Sequence, residues 1–97
     1  MAYRLSRKAV EDIIAIHGEG VSLFGDEQAE KYHIGMGQVF QLLSDNPELA
    51  RERKEIFPPV RVHPYGVHLI VYLILSNRDI LIVRVRHGNE DWQEQTL

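Results

Sequence analysis

Residues 67–75 read VHLIVYLIL, nearly all apolar and rich in β-branched side chains. A run of this kind fits the central strand of a sheet, because a strand buried on both faces loses the usual apolar–polar alternation. It is interrupted by His68 and is far too short to cross a bilayer. Everything else in the chain must supply neighbours and cover for it. Residues 60–63, VRVH, alternate strictly and read as a half-buried strand on one side, with Pro64-Tyr65-Gly66 as the turn between. Residues 80–86, ILIVRVR, form the last strand, after the polar turn Asn77-Arg78-Asp79.

The first half of the chain is helical. Tyr3-Arg4-Leu5 is a brief strand, and Ser6 is a good N-cap for the helix that follows. Val10, Ile13, Ile14, His17 and Val21 recur at helical spacing, while Gly18 and Gly20 weaken the last turns. Gly25 suits the closing position of that helix, and Asp26 caps the next. Ala29, Tyr32, Met36, Val39, Phe40 and Leu43 form the second apolar stripe, which Asn46-Pro47 terminates. Residues 48–55 are mostly charged and read as a loop with at most one helical turn, and Pro58-Pro59 extends the chain into the sheet.

The 97 residues allow one domain with one core. It comprises a helical hairpin over about residues 7–45, a C-terminal sheet over about 59–87 and a tail over 88–97. Strand, two helices and three antiparallel strands make a two-layer α+β domain. There is no cysteine, so disulfides and thiolate metal sites are excluded, and the N-terminus lacks the apolar core of a signal peptide. A cytoplasmic protein without cofactor is expected. His63 and His68, five residues apart, fall on opposite strand faces and make a poor metal pair.

The net charge is −3, against the positive charge usual for a dedicated nucleic-acid binder. Arg61, Arg78, Arg84 and Arg86 nevertheless concentrate in the strands, where Asp79 is the single acid between them. Alternation along the last strand puts Leu81, Val83 and Val85 on one face and Ile80, Ile82, Arg84 and Arg86 on the other. With the all-apolar set under the helices, Arg61, His63, Arg84 and Arg86 project from the open face, on a floor of Ile80, Ile82 and Tyr72. Such a face suits an amphipathic acidic segment, or RNA with arginines on its phosphates. His87 falls on the covered face, and the tail places Asp91 and Trp92 where the strand leaves the sheet.

Four segments together, YRLSRKAVEDI, FGDEQAEKY, NPEL and ILIVRVRHGNEDW, resemble the ParE-type toxins of the RelE/ParE superfamily of toxin–antitoxin systems. The most specific part is the strand end that runs Arg84, Val85, Arg86, His87, Gly88 and on to Asp91. The resemblance implies a helical hairpin on an antiparallel sheet, with the four strands in the order 1-4-3-2. It implies a ParD-type antitoxin, expected on Arg61, His63, Tyr72, Ile80, Ile82, Arg84 and Arg86. It implies DNA gyrase as the target, poisoned rather than chemically modified, with His87, Asp91 and Trp92 as the residues tied to toxicity. The RelE branch of the superfamily instead cuts mRNA on the ribosome, and Arg61, Arg84 and His87 would be its catalytic set here. Gly88 stands where such a ribonuclease often has a tyrosine, and the only lysines are Lys8, Lys31 and Lys54, so the non-enzymatic gyrase reading is favoured.

Overall fold

In a computed structural model, which describes residues 2–88, two helices pack on one face of a five-stranded mixed sheet. Strand β1 (Tyr3–Leu5) leads into helices α1 (Arg7–Phe24) and α2 (Asp26–Asp45). Strands β2 (Glu52–Arg53), β3 (Val60–Tyr65), β4 (His68–Ile74) and β5 (Ile80–His87) follow. Their order is β1-β5-β4-β3-β2, with β1 parallel to β5 and the other pairs antiparallel. The expected four-strand order is therefore extended. The charged segment after Pro47 contributes a two-residue edge strand instead of a helical turn, and β1 adds one parallel pair. The β3–β4 turn also lies one step later than expected: Pro64 stays in the ladder opposite Leu69, and Gly66 and Val67 make the connection.

Local chemistry explains the helix ends. The Ser6 hydroxyl accepts from the Ala9 N–H at 3.0 Å, as an N-cap should. Helix α1 runs through Gly18 and Gly20 to Phe24, because packing against α2 outweighs the weak propensity of glycine. Gly25, at φ 87°, separates the helices. Asp26 is the first residue of α2 rather than its cap, and with Glu27 it puts negative charge on the N-terminal turn.

The main core joins Ala9 of α1 and Met36, Phe40 and Leu43 of α2 to Ile70, Tyr72, Ile80, Ile82 and Val85 of the sheet. On α1 the inward face is Ala9, Ile13 and Ile16, whereas Val10 and Ile14 of the expected stripe are exposed. On the second face of the sheet, Ile56, Val60 and Val71 pack with Val62, Leu69 and Val83.

This distribution corrects the facing expected of β5. Tyr72 is paired with Ile82 and Val71 with Arg84, so one extra residue is accommodated in β5 at Val83. A bulge of this kind puts the residues before and after it out of alternation. Ile80 and Ile82 before it and Val85 after it all reach the helix side, and Val83 lies on the other face. Ile80, Ile82 and Tyr72 are fully buried under the helices instead of flooring an open face. On β3, Arg61 and His63 stand opposite Tyr72 and Ile70, in the helix-side rows, and Val60 and Val62 occupy the second face.

Two polar anchors fix what the apolar core leaves loose. Where β1 ends, the Ser6 N–H donates to the Ile82 carbonyl at 3.0 Å and the Ser6 hydroxyl donates to the Val83 carbonyl at 2.8 Å. Asp12 of α1 then takes over: one carboxylate oxygen accepts the Val85 N–H at 2.9 Å and Arg84 Nε at 2.8 Å, and the other accepts Arg84 Nη2 at 3.0 Å. Both side chains of this pair are about 15% exposed (Arg84 14%, Asp12 15%), so water competes weakly. At the opposite side of the sheet, the buried Tyr72 hydroxyl donates to the Pro47 carbonyl at 2.8 Å and accepts the Ala50 N–H at 3.4 Å. Arg61 donates to the Ala50 carbonyl at 2.6 Å. Residues 47–50 are thereby tied to β3 and β4.

Asp12→Ala should destabilise the fold by about 3–5 kcal/mol, since it leaves a mostly buried guanidinium and a strand N–H without their acceptor. Urea denaturation measures this, and a loss under about 1 kcal/mol would place the anchor among ordinary surface ion pairs. Tyr72→Phe should cost about 1–3 kcal/mol at neutral pH through its buried hydrogen bonds. Burial raises the Tyr72 pKa above its ordinary 10.0, against smaller lowering effects from its Ala50 hydrogen bond and the Arg61 charge. A folded-state pKa above the unfolded one means that Tyr72 supports folding fully below pH 10.0 and loses that support as pH rises through the folded value. The stability of Tyr72→Phe should therefore decline less steeply above pH 10.0 than that of the parent, as pH-dependent denaturation would reveal.

Candidate functional site

The C-terminal end of α1, the start of α2 and the β3–β4 turn enclose an apolar groove of about 460 Å³. Its walls include Leu23, Phe24, Ala29, Met36 and Val67. Leu23, Phe24 and Val67 are 64%, 69% and 60% exposed, more than a soluble surface normally leaves to clustered large apolar side chains. A space of this size is typical of a ligand or side-chain pocket.

Tyr32 lines the groove, and behind it Tyr65 exchanges hydrogen bonds with it. Tyr32 of α2 donates its hydroxyl to the Tyr65 carbonyl at 3.0 Å, and Tyr65 of β3 donates to the Tyr32 carbonyl at 2.9 Å. Their rings are 4.7 Å apart. Gly35 permits this approach, because a Cβ there would collide with the Tyr65 hydroxyl. Gly66 combines a positive φ of 55° with a second close approach, 2.5 Å from a would-be Cβ to the Tyr32 hydroxyl. Desolvation by burial raises the pKa of both tyrosines, so both hydroxyls stay protonated and able to donate.

The Tyr32 hydroxyl also lies 2.7 Å from His68 Nδ1. A phenol has one proton, so with that proton on the Tyr65 carbonyl it meets His68 Nδ1 through a lone pair. Directly across the ladder from His68 is His87, with the rings edge-to-face at 5.5 Å. A second histidine pair, His17 of α1 and His33 of α2, meets edge-to-face at 5.7 Å on the helical side. His17 Nε2 is 3.5 Å from the Glu30 carboxylate. Four of the five histidines thus line one groove, contributed by four different elements. Among the described residues no cluster of three or more His, Asp or Glu side chains converges to hold a metal ion.

The residues singled out from sequence fall in separate places. Arg84 is engaged by Asp12, Arg61 by the Ala50 carbonyl, and His87 lines the groove. His63 is partly buried, and its Nδ1 has no hydrogen-bond partner among the described residues. Arg86 stands opposite Leu69 and is partly exposed. Asp91 and Trp92 lie outside the described residues. The groove itself was not foreseen. His17 and His33 belong to the helices, His68 and His87 to the strands, and no spacing along the chain brings them together. No described helix is long and apolar enough to cross a membrane.

Comparison with known proteins places this architecture. A solved structure from P. aeruginosa, described as a chromosomal ParDE TA system, superposes with a TM-score of 0.75. The match covers 90% of this chain and 95% of that one at 24% identity, which speaks for the fold. No curated protein sequence was found to match. The family model described as "ParE toxin of type II toxin-antitoxin system, parDE" matches residues 3–92, from the first strand to the tryptophan of the tail. The chain belongs to the ParE toxin family of type II toxin–antitoxin systems.

Proposed function

We propose that the protein arrests growth by binding and poisoning DNA gyrase, without catalysing a reaction itself, and that a ParD-type antitoxin neutralises it in the cytoplasm. The observation that carries this reading is membership of the ParE family over residues 3–92. The positions of the basic residues support it. Cleavage of RNA at a 2′-hydroxyl needs a base within hydrogen-bond reach and cations at the same phosphate. Arg61 is held at the 47–50 loop, Arg84 at α1, and His87 in the groove, so the ribonuclease set is shared out among three neighbourhoods.

The antitoxin is proposed to cover the second face of the sheet, where Val62, Leu69 and Val83 are partly exposed beside Arg86. An amphipathic segment would lay apolar anchors on that strip and carboxylates on Arg86. Arg61 and His63 are partly exposed and remain candidates at its margin, whereas Tyr72, Ile80 and Ile82 would support the surface from beneath.

A supercoiling assay with gyrase from the source bacterium and antitoxin-free protein is the direct test. Loss of supercoiling or trapped cleaved DNA is expected, reversed by stoichiometric antitoxin. Primer extension on mRNA from arrested cells should show no new 5′ ends at the ribosomal A site. Full gyrase activity at large toxin excess, with new 5′ ends that disappear in His87→Ala, would reverse the assignment in favour of RNA cleavage.

A further inference from the structure

Helices α1 and α2 come close at Gly20, where an added Cβ would stand 3.3 Å from the Ala29 Cβ. His17 lies one turn back from Gly20 along α1, and His33 lies one turn onward from Ala29 along α2. In an antiparallel hairpin those positions face each other, and the two rings meet edge-to-face with centroids 5.7 Å apart. Glu30 precedes His33 by three residues, so both belong to one face of α2. The Glu-x-x-His spacing is one that helix bundles use to bring a carboxylate and an imidazole to a metal ion.

The distances are those of ligands to a shared ion rather than of a hydrogen bond. His17 Nε2 and the Glu30 carboxylate are 3.5 Å apart, beyond the roughly 2.7–3.2 Å of an N–H···O bond. Two donors at about 2.0–2.2 Å from one tetrahedral cation stand roughly 3.3–3.5 Å from each other. An imidazole centre lies about 3.2 Å from an ion held by its nitrogen, so two such rings lie about 5.2 Å apart. The observed 5.7 Å is a small side-chain adjustment away from that arrangement. As the side chains stand, two donors converge, and a turn of the exposed His33 side chain brings the third. Lys31, the neighbouring cation on α2, is directed to Glu27 at 3.7 Å.

We propose that His17, Glu30 and His33 bind one divalent transition-metal ion of the zinc class, with water completing its coordination. Two imidazole nitrogens and a carboxylate oxygen suit Zn²⁺, Co²⁺ or Ni²⁺, whereas Mg²⁺ and Ca²⁺ prefer oxygen ligands throughout. The ion fastens α1 to α2 at the turns that Gly18 and Gly20 weaken, and it sets the spacing of two helices that wall the groove. The site lies wholly on the helical hairpin and does not depend on the identity of the target.

Isothermal titration of the full chain, without a polyhistidine tag, should show one saturable Zn²⁺ site per chain. Co²⁺ should give the intense visible absorption of a four-coordinate ion. His17→Ala, His33→Ala and Glu30→Gln, each alone, should weaken binding by at least about tenfold, since loss of even an outer-shell partner costs that much. Circular dichroism verifies that each variant keeps its helices. Zn²⁺ should raise the thermal midpoint of the parent and leave that of His17→Ala unmoved. His87→Ala, which breaks the other imidazole pair, should bind as the parent does. Absence of saturable binding to the folded parent would overturn the proposal without reference to any variant. Binding that survives loss of His17 and His33 and vanishes in His87→Ala would move the ion to the strand pair. Binding indifferent to Glu30→Gln would overturn the three-ligand assignment.

Discussion

The Asp12 carboxylate holds the joint on which the two layers depend. Strand β1 is three residues long and pairs with β5 only from Ile80 to Ile82. Past that point β5 would present unpaired backbone groups next to the helical layer, at a cost comparable to lost hydrogen bonds. Ser6 satisfies two carbonyls of β5, and Asp12 satisfies the Val85 N–H while clamping Arg84. The same short stretch of chain therefore ends a strand, caps a helix and seals the outer edge of β5. Because the acceptor is a carboxylate on α1, the position of the helix relative to the sheet is fixed by directional bonds as well as by apolar packing.

How much of this could be read from the chain depended on whether a pattern was local. The stripe of α2 is one continuous period, and Ala29, Met36, Phe40 and Leu43 are buried as that period requires. The nine-residue run around β4 also behaves as a central strand, with Ile70, Val71 and Tyr72 inaccessible to solvent. Helix α1 was harder, since Val10, Ile13, Ile14 and Ile16 spread over adjacent faces. Only the presence of α2 and the sheet selects Ala9, Ile13 and Ile16 as the inner set. The β2 strand was illegible because two charged residues at a sheet edge carry no period at all.

The bulge at Val83 had the largest consequence. Strict alternation sends Ile80, Ile82, Arg84 and Arg86 to one face, and it sorts the residues cleanly into apolar and mixed sets. The register with β4 breaks that sequence, and both isoleucines and Val85 enter the core. A bulge is a property of two paired strands, so nothing within β5 alone announces it. It converts a supposed basic face with an isoleucine floor into an apolar second face with Arg86 on it, and it leaves Arg84 to α1. Arg61 and His63 lie on unbulged β3, and they stand in the helix-side rows because Val60 and Val62 pack on the second face.

The same geometry separates charge from the exposed apolar surface. The two strand arginines that most resembled an anion site are each satisfied within the fold, Arg84 by a carboxylate and Arg61 by a carbonyl. The groove, by contrast, is lined by imidazoles without a lysine or arginine. Guanidinium groups carry their charge at all physiological pH values, whereas an imidazole presents a neutral donor and acceptor until a partner or a proton arrives. A surface of this composition selects its occupant by apolar fit first and by hydrogen bonding second. That ordering suits a peptide segment with an aromatic anchor better than a polyanion.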